Sequence, residues 1–517
     1  MSIRVRIVVS LPRGLQAGNG SLVSALILDE HAAMLIRRES PFDWVLLLLL
    51  AAMVVAGYGV AANITYQAAI LSLVVTSATA VVLAGAAGIR WGFIFWICTL
   101  GLGYRTAAVT PILKVHPGEL VLWGLLLWLM IWAALDRRMR AACWLPPWVW
   151  MFLPFCVWGW MIGQENGVPW DRMLSEMKVF LLLIPLYMLA STILVQKGPW
   201  RTVVLSFFLI ATGIAALGLV EYFDPGITAL FPKFIADPEA SETMEGFARA
   251  RFSFWGGPAA TYACILAVPF AIPLWRWANA LLARLFILCA GLLLIGAVYA
   301  GGFRIFWLLL AIQCLLFLVL TRRYVLVGVL ALASLAGYRT LPDATQERIH
   351  SLAQILLGKP TDTSGVKHLN RPRAAIELCL NSPAGSGWGA AGWVHSDFIQ
   401  IAANLGILAG LLFFGAYVAT LLRLWRRVRT RGRARAEWSL DAAFLLSFLT
   451  AGGIICTQAV LDAPQLAFPV WFVWVLADVM LRQSRLGQKK TVGAANLASS
   501  VRLPLQDTAG KAVVYTA

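Results

Sequence analysis

Four arginines and one histidine stand out as groups with chemistry to offer. Arg251 precedes an apolar segment, and Arg304 sits in a tight Gly-Gly-Phe-Arg turn between two others. Arg371 and Arg373 lie in a long polar stretch, and His395 opens a further apolar run. Guanidinium groups are always charged and grip phosphate oxygens two at a time. Imidazole is the side chain best suited to take a proton near neutral pH. Together they suit transfer of a group from a lipid diphosphate to a hydroxyl. The arginines would hold the charge of the leaving diphosphate, and His395 would activate the acceptor. Plainer uses compete at each position. Arg304 can snorkel to headgroups, Arg251 can pair with nearby acids, and a lone His is often an ordinary hydrogen-bonded residue. Arg371 and Arg373 are expected at the start of a short helix over 372–380, with Pro372 as its first residue. Cations there oppose the helix dipole, which argues for a purpose. Ala374, Ile376, Leu378 and Leu380 are expected to be its partly buried residues.

The elements that must position these groups are membrane helices. Of 517 residues, 60% are hydrophobic and 13% charged, and mean hydropathy is +0.78. That composition predicts an all-α polytopic membrane protein, because only helices satisfy their own backbone in lipid and no barrel-like alternation occurs. Apolar runs long enough to cross a bilayer give about 12–14 transmembrane helices. They are placed near 44–62, 67–88, 92–110, 118–135, 146–163, 176–195, 202–220, 259–275, 283–301, 304–321, 324–338, 396–422, 440–458 and 465–482. Residues 1–43 read as a cytoplasmic tail, 44–485 as the membrane domain and 486–517 as a flexible cytoplasmic tail. With the N-terminus inside, most of the 42 Lys and Arg fall in inner segments, Arg90 among them. The inner side then carries the basic excess behind the chain's net charge of +17, as the positive-inside rule requires. The excess is therefore a topology signal, and nucleic acid is not an expected partner. Two long loops fall outside, 221–258 and 339–395, where a long connection calls for a function.

Other chemistry finds little support. Seven of the eight Cys lie in or beside apolar runs and only Cys379 in a polar loop, without paired spacing. No Asp-x-Asp, His-Glu-x-x-His or P-loop pattern occurs, so neither metal nor nucleotide cofactor is expected. The run Gly385-Ser-Gly387-Trp-Gly389 reads as a loop device.

Ser382-Pro-Ala-Gly-Ser-Gly-Trp-Gly389, then His395-Ser-Asp397-Phe-Ile-Gln400 with Gly406 eleven positions after the His, resembles the O-antigen ligase and Wzy-type polysaccharide polymerase superfamily. Arg251-Phe-Ser-Phe-Trp-Gly-Gly-Pro258 and Gly301-Gly-Phe-Arg304 resemble its upstream motifs. The resemblance covers roughly 200–425. It implies a GT-C-like membrane glycosyltransferase of the bacterial inner membrane, inverting and metal-independent; the charge count already puts both termini in the cytoplasm. The implied donor is an undecaprenyl-diphosphate-linked glycan taken at the periplasmic face. Arg251 and Arg304 would bind the diphosphate and His395 would be the base. Asp397, Gln400 and Arg373 would support them. A flippase or chain-length regulator of the same pathway is the implied partner, besides membrane lipids. The chain departs from the pattern in four places. His368 and Pro372 stand where an Arg and a Trp are usual, so Arg371 or Arg373 is left to supply the loop arginine, with Arg371 favoured. Ser396 replaces Asn, and Asn404 stands where many members carry Glu. The expected activity is polymerisation of exopolysaccharide or O-antigen repeat units. Ligation of the finished glycan to lipid A-core or a protein is the alternative. A membrane anion transporter is the alternative of another class.

Overall fold

A computed structural model describes residues 85–99, 107–108, 114–115, 117–195, 200–224, 257–359, 363–430, 432 and 436–501. All belong to one compact unit, Val60–Ala517. Arg251, nearly all of the 221–258 loop and the first expected span lie outside the described residues, as does residue 502 onward.

The chain is an all-α polytopic membrane protein. Helix α1 is Gly85–Thr99; a two-residue antiparallel ladder, β1 Ala107–Ala108 with β2 Lys114–Val115, follows it. Then come α2 Pro117–Leu135, α3 Arg137–Ala142, α4 Pro147–Glu165, α5 Trp170–Leu181, α6 Leu183–Val195 and α7 Trp200–Phe223. After the acidic loop come α8 Gly257–Ala267, α9 Ala271–Trp277, α10 Leu281–Ala300, α11 Arg304–Leu320 and α12 Tyr324–Tyr338. The second long loop holds two helices, α13 Asp343–Leu356 and α14 Thr363–Asn381. The chain ends with α15 Asp397–Leu405, α16 Ile407–Thr430, α17 Ala436–Thr457 and α18 Pro464–Val501. Among the described residues, 8 helical stretches are long and apolar enough to cross a membrane.

Most expected spans coincide with these helices, and the differences have identifiable causes. Arg90 was expected in a turn between two spans but lies inside α1, with its guanidinium 5.6 Å from the Trp91 ring centroid. One cation among apolar neighbours does not break a helix when its stem can snorkel. The expected span 396–422 is two helices, because Gly406 takes φ +99° between α15 and α16. The loop helix is 19 residues long, Thr363–Asn381, and carries Pro372 in its interior instead of at its start. The upstream residues Thr363–Arg371 are helical despite the proline's missing donor. Its burial is also corrected: Ala375 and Cys379 are buried against Val394 and Ala403, while Ile376 and Leu380 are exposed. The expected 374/376/378/380 set follows a strand's period; a helix buries residues four apart. Cys379 is thus a packed residue, and burial raises its thiol pKa. Helix α18 continues to Val501, past the expected boundary at 485.

The core is aromatic. Trp471 and Trp474 of α18 meet Phe413 of α16, and Trp474 stands 5.4 Å from Trp148 of α4. Inside it, Asp478 accepts hydrogen bonds at 2.7 Å from both Tyr187 of α6 and Thr420 of α16. A carboxyl at this depth is stable only with such partners. The bundle has two distinct ends. At one, Arg427 pairs with Asp441 at 2.7 Å, Arg482 lies over Trp144, and Arg201 reaches the Trp277 carbonyl. At the other gather the ends of α4, α10 and α15, together with α13 and α14. His395 lies there.

Candidate functional site

His395 is held between two anchored points. On its C-terminal side, Asp397 is fully buried. Its two carboxylate oxygens each accept at 3.2 Å from the backbone N–H groups of Val460 and Leu461, the first residues of a short 3-10 turn, Val460–Asp462. The same carboxylate sits in the first turn of α15, where the helix dipole favours it. Asp397 therefore docks the helix that His395 precedes. On the N-terminal side, Asn404 and Glu176 clasp the glycine-rich loop. Glu176 Oε2 accepts from Asn404 Nδ2 at 2.6 Å and from the Gly389 N–H at 3.2 Å, while Asn404 Oδ1 accepts from the Ala391 N–H at 2.9 Å.

The glycine-rich loop has spent its donors. Gly385 donates to the Ser382 carbonyl, Ser386 to Ala403 and Gly387 to Asn404; Trp388 donates to Gly159, Ala390 to Gly387 and Gly392 to Gly389. With Gly389 and Ala391 engaged as above, every N–H from 385 to 392 points at protein. An anion cradle needs converging free N–H groups, so this loop is not one. It satisfies the carbonyls that α15 leaves orphaned where Gly406 ends it. The glycines allow close approach: a Cβ on Gly387 (φ +96°) would stand 2.2 Å from the Gly163 Cα of α4. Trp388, wholly buried, donates its indole N–H to the Cys156 carbonyl at 3.0 Å and pins the loop to α4.

Trp393 links His395 to an arginine. Its ring lies 5.6 Å from the imidazole of His395, and the guanidinium of Arg371 lies 5.1 Å from the Trp393 centroid. Arg371 is half-buried and Arg373 exposed. Of the two, Arg371 is the one that makes a cation–π contact with the ring lying against His395. Trp393 itself is 57% exposed, a large ring on open surface.

Arg304 opens α11 and donates to the hydroxyl of Ser351 in α13. Beside it, Arg348 of α13 is only 5% exposed and donates to the Gly302 carbonyl at 2.8 Å. Sequence reading passed over Arg348. Its position on an amphipathic helix, with Thr345 and Ser351 on adjoining turns, is the signal that could have found it. Glu176 and Trp393 were also passed over, since each gains meaning only from partners far along the chain. Gln400 is fully buried and, among the described residues, neither its amide N nor its O has a hydrogen-bond partner. That is a cost of about 1–3 kcal/mol unless a ligand meets it. Beside the loop, α14, α15 and α16 enclose an apolar groove of about 250 Å³, lined by Ile376, Leu380, Phe398, Leu411 and Phe414 among others. The arrangement thus offers two fixed cations, an imidazole, an unsatisfied amide and an apolar slot at one end of a membrane bundle. No protein-family model matches the chain, and no curated protein sequence matches it.

Proposed function

We propose that the chain is a glycosyltransferase that polymerises undecaprenyl-diphosphate-linked oligosaccharide units at the periplasmic face of a bacterial inner membrane. The observation that carries this reading is the sharing of Trp393 by Arg371 and His395, which couples a diphosphate ligand to a base. The positive-inside distribution assigns the His395 end to the periplasm. The sequence resemblance supplies the reaction class.

The steps follow from the groups. His395 accepts the proton of an acceptor sugar hydroxyl. The freed oxygen attacks the donor's anomeric carbon from the face opposite the diphosphate. The bond between that carbon and the diphosphate oxygen breaks, inverting the configuration, and undecaprenyl diphosphate leaves with the electron pair. Arg304 and Arg371 stabilise its growing charge, and Arg251 is assigned the same task. The apolar groove beside α14 suits the first isoprene units. The arginines, not a metal, are assigned the leaving group's charge, so activity is expected to survive a chelator.

The test uses purified full-length protein in liposomes with an undecaprenyl-diphosphate oligosaccharide and a chelator. Ladders of longer glycan and free undecaprenyl diphosphate are expected. His395→Ala should reduce both by roughly 10²- to 10⁴-fold without changing the protein's elution profile. Transfer only to added lipid A-core would make it a ligase. Unchanged substrate under all conditions, with flux of the anion across the bilayer, would make it a transporter.

A further inference from the structure

At the end of the bundle away from His395, a second groove opens sideways between α9, α10, α11 and α12, with Trp438 of α17 among its lining residues. Its volume is about 720 Å³. Its polarity is graded. Arg276, Thr321 and Arg323 line it at the ends of α9 and α11; Ile287, Leu288, Leu292, Ile295 and Phe317 line the rest. A cationic head and an apolar body have the shape of a lipid. The floor is open at Gly291, where an added Cβ would meet no atom within 4 Å.

Arg276 at the mouth and Arg284 nearby each rest against an indole. Arg276 lies 5.5 Å from the Trp438 ring centroid, and Arg284 lies 5.9 Å from that of Trp275. Arg322, between α11 and α12, has φ +57°, the one positive φ outside glycine among the described residues. Its N–H closes on the Val319 carbonyl and that of Arg323 on Leu318, a helix ending that glycine makes at no steric cost. The chain places a charge there instead. Acids are scarce: α8 to α12 carry none, and α17 carries Glu437 and Asp441, the latter paired with Arg427 at 2.7 Å.

We propose that this groove binds one anionic glycerophospholipid. Its phosphate lies between Arg276 and Arg323 with Thr321 as a further donor, and an acyl chain runs along Ile287, Gly291 and Ile295. Clustered cations between transmembrane helices on the positive side favour anionic headgroups over zwitterionic ones. Ile287 to Ile295 covers roughly 12 Å of helix rise. That holds part of an acyl chain and is short for a polyprenyl tail. The site is independent of the His395 end.

The experiment is native mass spectrometry of the delipidated full chain, titrated with phosphatidylglycerol or phosphatidylcholine. The first phosphatidylglycerol should bind about tenfold more tightly. The double variant Arg276→Gln/Arg323→Gln should lose the preference. Gly291→Phe projects into open space, so it should keep the wild-type melting temperature and lose the tight lipid. If the double variant fails to fold, Gly291→Phe decides. Equal binding of the two lipids, an unchanged preference in the folded variants, or displacement by undecaprenyl phosphate at equal concentration would each overturn the proposal.

Discussion

At the scale of single residues, Trp393 is the part with most to lose. An exposed tryptophan is an expensive way to cover a loop, yet this ring orients both Arg371 and His395. Trp393→Leu should lower polymer output by about tenfold, from a lost cation–π contact of about 1 kcal/mol and a freer imidazole. Trp393→Phe should recover most of it, and rates measured at saturating donor check both. Arg304→Lys should be nearly as damaging as Arg304→Ala, because an ammonium cannot reproduce the two-point grip on phosphate. Full activity of the Lys variant would leave Arg304 a headgroup anchor. The arginines and His395 were legible in the sequence because charge is rare in so apolar a chain. Arg348, Glu176 and Trp393 were not, because their partners Gly302 and Asn404 are remote in sequence and Trp is common near membrane surfaces.

At the scale of elements, the glycine loop and α15 form one unit. The loop's N–H groups cap α15, and Gly387 rests directly on Gly163. Gly387→Ala combines a backbone clash with an unfavourable φ and should cost about 2–4 kcal/mol. It should be seen as a lower melting temperature and less monodisperse protein. Gly392→Ala, at φ +64° with no atom near its Cβ, should cost only about 1 kcal/mol. The sequence announced a loop here, since four glycines within eight residues permit little else. It did not announce the break at Gly406 or the length of α14. Hydrophobicity runs straight through Gly406, and Pro372 is a helix stop by local rules. In both places packing decides: Pro383 takes the Ile407 N–H, and Ala375 and Cys379 gain a buried face.

For the whole molecule, charge and contacts agree on two ends. The residues joined to His395 through α4, α13 and α15 are those that charge counting put outside. The cations clustered around Trp144, Trp277 and Asp441 are those it put inside. Single cysteines at Lys359 and Arg429, both exposed, test the orientation. In intact cells with a permeable outer membrane, an impermeant maleimide should label Lys359→Cys and spare Arg429→Cys until the inner membrane is opened. The reverse would turn the protein over and end the periplasmic reading. Fold class was legible because lipid permits so few solutions. The Tyr187–Asp478–Thr420 clasp was not, since a single acid in an apolar run does not name its partners.

The tie between Arg304 and Ser351 has a consequence for proteolysis. Helix α13 is fastened to the α10–α11 turn by that bond and by Arg348 on Gly302. An anion that takes over the Arg304 guanidinium competes with Ser351 and loosens one of these fastenings. Trypsin should then cut faster after Arg339, the exposed residue four positions before α13, when a soluble diphosphate is present than when it is absent. An Arg304→Gln protein should be cut quickly whether or not the anion is there.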